Sequence, residues 1–210
     1  MLKHNIYKMY MLKAVMWFMV AMPIIVLFFQ NHGLTLTQVM ILQAIYSFSV
    51  AIFEIPSGYI ADTIGRKETI IMSTVFSFLG YLVFSSFDTF WLLMIGQILI
   101  GVGGSLMSGS DSALIYDTLL EIKEKDSYVK VEGRNYGIGN FSESFAGILG
   151  GFLAVHSLYT PVYVQTIILF FSIPIAISLI EPNINNKQSY SYRNLISIIK
   201  FSMIDNKKLK

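Results

Sequence analysis

Residues 14–53 read AVMWFMVAMPIIVLFFQNHGLTLTQVMILQAIYSFSVAIF, a stretch of 40 residues without Asp, Glu, Lys or Arg. A helix of about 20 apolar residues crosses the hydrocarbon core of a bilayer, so this stretch is long enough for two spans. The only turn-like cluster within it is Gln30-Asn31-His32-Gly33, which predicts where the two spans separate. The stretch therefore predicts a helical hairpin inside a membrane.

Three more charge-free runs follow, over residues 69–87, 89–110 and 144–180. The last is long enough for two spans and is interrupted by turn-forming residues near His156 and Pro161. Barrel strands would alternate apolar and polar residues, whereas these runs are continuously apolar. The sequence predicts an all-α membrane protein whose bundle, residues 1–180, has six transmembrane helices at about 11–30, 37–60, 69–87, 90–116, 136–156 and 161–180.

Composition excludes the other broad classes of protein. The chain is 54% hydrophobic and 13% charged, whereas soluble domains are about 25% charged. Disordered chains lack this apolar content. There is no cysteine, which excludes disulfides and thiolate metal sites.

The basic residues predict the orientation of the bundle. If the N terminus is cytoplasmic, the inside segments 1–13, 61–68, 117–135 and 181–210 contain all 15 Lys and Arg residues. This is the distribution that the positive-inside rule requires, so both termini are predicted to be cytoplasmic. Residues 181–210 form a cytoplasmic linker whose weak amphipathic pattern fits either a helix along the membrane surface or a solvated connection.

A glycine- and charge-containing motif follows the second predicted span, Gly58-Tyr59-Ile60-Ala61-Asp62-Thr63-Ile64-Gly65-Arg66-Lys67. It resembles the signature that members of the major facilitator superfamily carry between their second and third helices. The spacing, the position after the second span and the predicted cytoplasmic side all agree with this resemblance.

The resemblance implies a conformational latch that joins the two halves of a transporter on the cytoplasmic side. Its residues would be Gly58, Asp62, Gly65, Arg66 and Lys67, with Asp117 as the acidic partner of Arg66 and with Arg134 before the fifth span. Without the resemblance, the same segment would be a plain loop whose basic residues set the topology.

Three carboxylates, Glu54, Asp111 and Glu143, fall within predicted spans, where no Lys or Arg is expected at the same depth. Charged groups in hydrocarbon are costly and face the bundle interior or a wet cavity. They could exchange protons during transport, or they could form a hydrogen-bond network that braces the loop motif. Many proton-coupled drug exporters of the superfamily have Arg where this chain has Gln97, a departure that weakens the resemblance to those exporters. Gln97, and Asn140 beside Glu143, complete the candidate cavity.

The superfamily's usual unit has two six-helix halves, and this chain ends where a seventh span would be expected. The resemblance implies a secondary active transporter of a small solute by alternating access, with proton-coupled efflux as one form. The alternative is a truncated or split membrane fragment that transports nothing without a second half. The expected partners are the bilayer, a small solute, protons, and either a second six-helix half or another copy of the chain.

Other functions are not indicated. The sequence has no nucleophile–base constellation or metal-ligand spacing that would predict an enzyme, and no nucleotide-binding glycine loop. We expect neither a cofactor nor a nucleic-acid partner. The expected location is the inner membrane of a bacterial cell.

Overall fold

The computed structural model describes residues 2–183, and every regular element in that part is helical. The linker predicted over 181–210 falls almost entirely outside the described residues. The α-helices are α1 (Lys3–Met16), α2 (Ile25–Asn31), α3 (Leu36–Thr63), α4 (Arg66–Ser86), α5 (Phe90–Met107), α6 (Ser110–Glu121), α7 (Tyr128–His156) and α8 (Tyr159–Ile177), with single 3₁₀ turns at Met22–Ile24 and Lys125–Ser127.

Five helical segments of the described residues are long and apolar enough to cross a membrane. They correspond in order to the second to sixth predicted spans. Their bounds are Leu36–Thr63, Arg66–Ser86, Phe90–Glu121, Lys125–His156 and Tyr159–Ile177.

The first predicted span, 11–30, is divided rather than continuous. Helix α1 begins at Lys3 and ends at Met16, and α2 begins only at Ile25. Pro23 lies between them in a 3₁₀ turn. Proline has no N–H group and its ring clashes with the carbonyl four residues earlier, which disfavours a regular helix at this point, although Pro56 and Pro174 are accommodated inside α3 and α8. Neither piece alone has the length of a membrane span.

The fourth span contains a second break, between α5 and α6. Gly109 has φ +78°, a left-handed backbone conformation that glycine adopts without the steric cost of a Cβ atom. The helical segment then continues to Glu121, beyond the predicted end at residue 116. The first and fourth spans are thus each assembled from two helical pieces.

Helix α5 packs closely against α3 and α4 through its glycines. A Cβ atom on Gly101 would lie 2.7 Å from Ser49 Cβ, and one on Gly103 would lie 2.6 Å from Ser77 Oγ. Small residues stabilise membrane bundles in this way, because van der Waals contact rather than exclusion from water drives helix association in lipid.

Helices α3 and α7 are the least covered of the five apolar segments. Only 17% of the most apolar window is buried in each, against 39% in the other three. Large apolar side chains therefore remain on their outer surfaces. Examples are Phe48, Ile52 and Ile55 on α3 and Phe141, Phe145 and Phe152 on α7.

Candidate functional site

The loop between α3 and α4 positions a guanidinium between two carboxylates. Asp62 lies in the last turn of α3, and Arg66 is the first residue of α4. Arg66 Nη2 lies 2.7 Å from Asp62 Oδ1, and Arg66 Nε lies 3.8 Å from Asp117 Oδ2 on α6. The first distance is that of a charge-assisted hydrogen bond, and the second is a looser ion pair. One arginine thus links α3, α4 and α6 at what we call the motif end of the bundle.

Glu181 completes this cluster. Its Oε1 accepts a hydrogen bond from Arg66 N at 2.8 Å, and its Oε2 accepts one from Lys67 N at 2.6 Å. The first N–H groups of a helix have no partner within the helix and carry its positive dipole end, so a carboxylate stabilises them. Glu181 therefore caps α4 from a position far away in the sequence. Sequence reasoning did not identify it, although it is the first charged residue after the run 144–180.

Gly65 makes the close approach of Glu181 possible. It has φ +125° and ψ +155°, and a Cβ atom there would lie 3.0 Å from Glu181 Oε1. This region of backbone space is almost restricted to glycine.

Gly65→Ala is therefore expected to destabilise the fold by about 1–3 kcal/mol, because it strains the backbone and displaces the cap. Thermal unfolding in detergent measures the effect. Gly58→Ala is the matched control, because nothing in the described residues lies within 4 Å of a Cβ at that helical position. Equal melting temperatures for the two variants would contradict the assignment.

The remaining motif residues are placed less tightly. Nothing in the described part of the chain lies within 4 Å of a Cβ atom at Gly58, so this glycine makes no close helix contact there. Lys67 contributes its backbone N–H to Glu181. Arg134 is exposed on α7 and interacts with the Tyr10 hydroxyl rather than with the Arg66 cluster.

The five candidate cavity residues are not gathered in one place. Glu54 and Asn140 are exposed, Glu143 is half-buried, and Gln97 and Asp111 are buried. Within residues 2–183 no hydrogen bond joins any two of them. Asp111 alone among the five has a charged partner there.

That partner is Lys13, and it contradicts the expectation that no cation lies deep in a span. Lys13 Nζ lies 3.0 Å from Asp111 Oδ2, and the side chains are only 8% and 10% exposed. Because α1 begins at Lys3, Lys13 lies in the last turn of a helix inside the bundle and not in a flanking loop. A buried cation is tolerated here because it is paired.

Two aromatic rings enclose the Lys13 ammonium. Its Nζ lies 4.6 Å from the centroid of Trp17 and 4.8 Å from that of Tyr136. The two rings are 6.2 Å apart and nearly perpendicular, at 80°. Both distances are within the range of a cation–π interaction.

The ion pair continues into α7 through Ser112. The Ser112 N–H donates to Asp111 Oδ1 at 2.8 Å, and the Ser112 hydroxyl donates to Glu132 Oε1 at 2.6 Å. Asp111 lies six residues from Asp117 on α6, or about 9 Å along the axis at 1.5 Å per residue. This network is thus a layer separate from the Arg66 cluster.

Sequence comparison with known proteins identifies related transporters. The model of the Major Facilitator Superfamily matches residues 9–200. An uncharacterized MFS-type transporter of Bacillus subtilis is 27% identical over 192 residues, which is 89% of this chain and 47% of that protein. The class H tetracycline resistance protein of Pasteurella multocida is 27% identical over 138 residues, which is 66% of this chain and 34% of that protein.

An uncharacterized transporter of Buchnera aphidicola from Acyrthosiphon pisum is 27% identical over 168 residues, 74% of this chain and 40% of the relative. The chain spans less than half the length of these curated relatives. The family model nevertheless covers almost all of the chain, including the motif loop and the five apolar helical segments. Together with the membrane-length helices, this match means that the chain is an integral membrane protein belonging to the major facilitator superfamily.

Proposed function

We propose that this chain forms one six-helix half of a secondary active transporter that moves a small solute by alternating access. The observation that carries the proposal is the Arg66 cluster, in which one guanidinium and one distant carboxylate tie α3, α4, α6 and the segment after α8 together. Such a cluster can hold one conformation and release it when an ion pair opens. Asp62, Arg66 and Asp117 in this cluster are among the residues that the family resemblance assigns to a latch on the cytoplasmic side, and Glu181 is an addition to that set.

A second half would cover the exposed apolar faces of α3 and α7. These two helices bury the least surface among the apolar segments. Either a second six-helix polypeptide or another copy of this chain could pack there and enclose a central cavity. Glu143 and Asn140 on α7, Glu54 on α3 and Gln97 on α5 are our candidates for residues that contact solute or protons.

The assembly state tests this part of the proposal. We expect native mass spectrometry of the chain in nanodiscs to detect a dimer, or a complex with a second membrane polypeptide when purified from its own host. A monomer under both conditions would favour the alternative, in which the chain is a non-transporting fragment. This alternative is motivated by the lengths of the relatives, because the chain covers only 40% of one and 47% of another.

Asp62→Asn tests the latch. Asparagine keeps the size of the side chain but removes the charge that pairs with Arg66 at 2.7 Å. We expect solute flux to fall at least ~10-fold, which corresponds to about 1.4 kcal/mol of lost conformational preference. Tetracycline efflux from cells is the first assay to use, because several relatives are named as tetracycline resistance proteins.

Asp88→Asn is the matched control for that assay. Asp88 is an exposed carboxylate in the loop between α4 and α5, and it pairs with His32 instead of with the motif. We expect this variant to be expressed and to transport normally. Unchanged flux in Asp62→Asn at equal expression would contradict the latch.

A further inference from the structure

We propose that the aromatic box around Lys13 is a binding site for the cationic group of an organic-cation substrate, with Asp111 and Glu132 supplying the negative charge. The inference rests on the proposed transport function and adds a substrate class to it. In the structure, the Lys13 ammonium occupies this box as a tethered cation.

The shape of the box is suited to an ammonium group. The faces of Trp17 and Tyr136 lie 4.6 and 4.8 Å from the positive nitrogen, and the Asp111 carboxylate lies 3.0 Å from it on a third side. Aromatic faces that meet at nearly 90° beside a carboxylate are the means by which proteins recognise substituted ammonium ions. The same surfaces would repel an anion.

The charges around the box do not balance, because two carboxylates lie beside a single cation. Ser112 joins two carboxylates, Asp111 and Glu132, but Lys13 is the one lysine or arginine of residues 2–183 within 4 Å of either. The second oxygen of Glu132, Oε2, is buried and has no hydrogen-bond partner in this part of the chain. A buried carboxylate oxygen without a partner is costly, so the site favours an additional positive group.

A buried amide at the same level also lacks partners. Asn135 is fully buried, and neither its Nδ2 nor its Oδ1 has a hydrogen-bond partner in the described part of the chain. On the same face of α7, Val131 accepts a hydrogen bond from the Tyr10 hydroxyl of α1, and Gly139 packs against Trp17. Asn135 therefore lies between these two contacts, at the level of Lys13. Its amide dipole is available to a polar ligand.

The box lies beside two helix breaks, and one of its two rings is exposed. Tyr136 is 50% exposed, so a ligand can reach this ring from the outer face of α7, whereas Lys13 and Asp111 behind it are only 8% and 10% exposed and the ligand must displace the lysine ammonium. Lys13 lies in the last turn of α1, and Asp111 in the first turn of α6. The carbonyl end of a helix attracts cations and the N–H end attracts anions, and broken helices supply both inside a bundle.

Binding to the box can be measured by fluorescence. The chain has two tryptophans, and Trp91→Phe leaves Trp17 as the only one. We expect benzyltrimethylammonium to quench Trp17 emission with saturation in the full chain in detergent. Neopentylbenzene, which has the same shape without the charge, is expected to bind at least ~10-fold more weakly. Equal binding of the two probes would overturn the proposal.

Two variants in the Trp91→Phe background distinguish the contribution of the Tyr136 ring from the general effect of removing a half-exposed tyrosine. Tyr136→Leu removes one face of the box, and we expect the affinity for benzyltrimethylammonium to fall about 5-fold or more. Tyr163→Leu is the matched control, because Tyr163 is 48% exposed on α8 and lies outside the box. The same affinity in both variants would overturn the proposal.

The charges are tested by Lys13→Gln and Asp111→Asn. Removing the tethered cation is expected to raise the affinity for the ammonium probe about 10-fold, and removing the carboxylate is expected to lower it by as much. If either variant does not fold, the comparison of the two probes and of the two tyrosine variants still tests whether the box binds an ammonium group. Binding needs no flux: saturable binding without transport would count against the proposed function alone, and transport without binding would count against this site alone.

Discussion

Lys13→Met should lower the free energy of unfolding by about 3–5 kcal/mol, because it leaves the Asp111 carboxylate buried without its cation. Methionine keeps most of the length and apolar surface of the lysine stem, so the change is mainly one of charge. The two side chains are 8% and 10% exposed, and solvent therefore does not replace the lost partner. Unfolding by titration with sodium dodecyl sulfate in mixed micelles measures the loss.

Two further variants test whether the loss of stability comes from the unpaired Asp111 carboxylate. Lys13→Met combined with Asp111→Leu removes both charges and should recover most of the loss, since apolar replacement of a buried ion pair is often neutral or stabilising. Lys3→Met removes another α1 lysine that pairs with a carboxylate, Glu124, but both of those side chains are largely exposed. We expect little change from it. A stable Lys13→Met protein, or a double variant no better than the single one, would contradict the assignment.

The sequence predicts the parts of the fold that depend on local pattern. Helices α3, α4 and α8 correspond to apolar runs that are bounded by turn-forming residues. At the start of α3, the side chain of Thr35 forms a capping box with Gln38. The family motif predicts that Arg66 pairs with Asp117, and the structure places Arg66 Nε 3.8 Å from Asp117 Oδ2.

The features that sequence reasoning missed depend on contacts between distant residues. In the sequence, Lys13 resembles a charge that flanks a membrane span. Its role in a buried ion pair depends on Asp111, which belongs to another helix. Glu181 caps α4 across 115 residues of chain, and no local pattern indicates that contact. The division of the first span is different, because Pro23 was visible inside the charge-free run. The run's length was compatible with a continuous helix, and charge counting alone cannot detect a break.

The break between α1 and α2 also explains why one glycine on α7 should be irreplaceable. A Cβ atom on Gly150 would lie 2.1 Å from the Val20 carbonyl oxygen and 3.1 Å from its carbonyl carbon. Val20 and Ala21 are fully buried at this point. The helix backbone of α7 thus rests directly on the irregular backbone of the first span, and neither side has a flexible side chain that could move away.

We therefore expect Gly150→Ala to destabilise the bundle by about 3 kcal/mol, at the upper end of the usual cost of overpacking, because the clash is with backbone. Gly147→Ala and Gly151→Ala are matched controls on the same helix, since nothing in the described residues lies within 4 Å of a Cβ at either position. Alanine should be neutral or slightly stabilising there, because it forms helix more readily than glycine. Unfolding in mixed micelles compares the three variants. If Gly150→Ala is as stable as the controls, the two backbones do not meet at this point, and the broken first span does not pack on α7 as the structure places it.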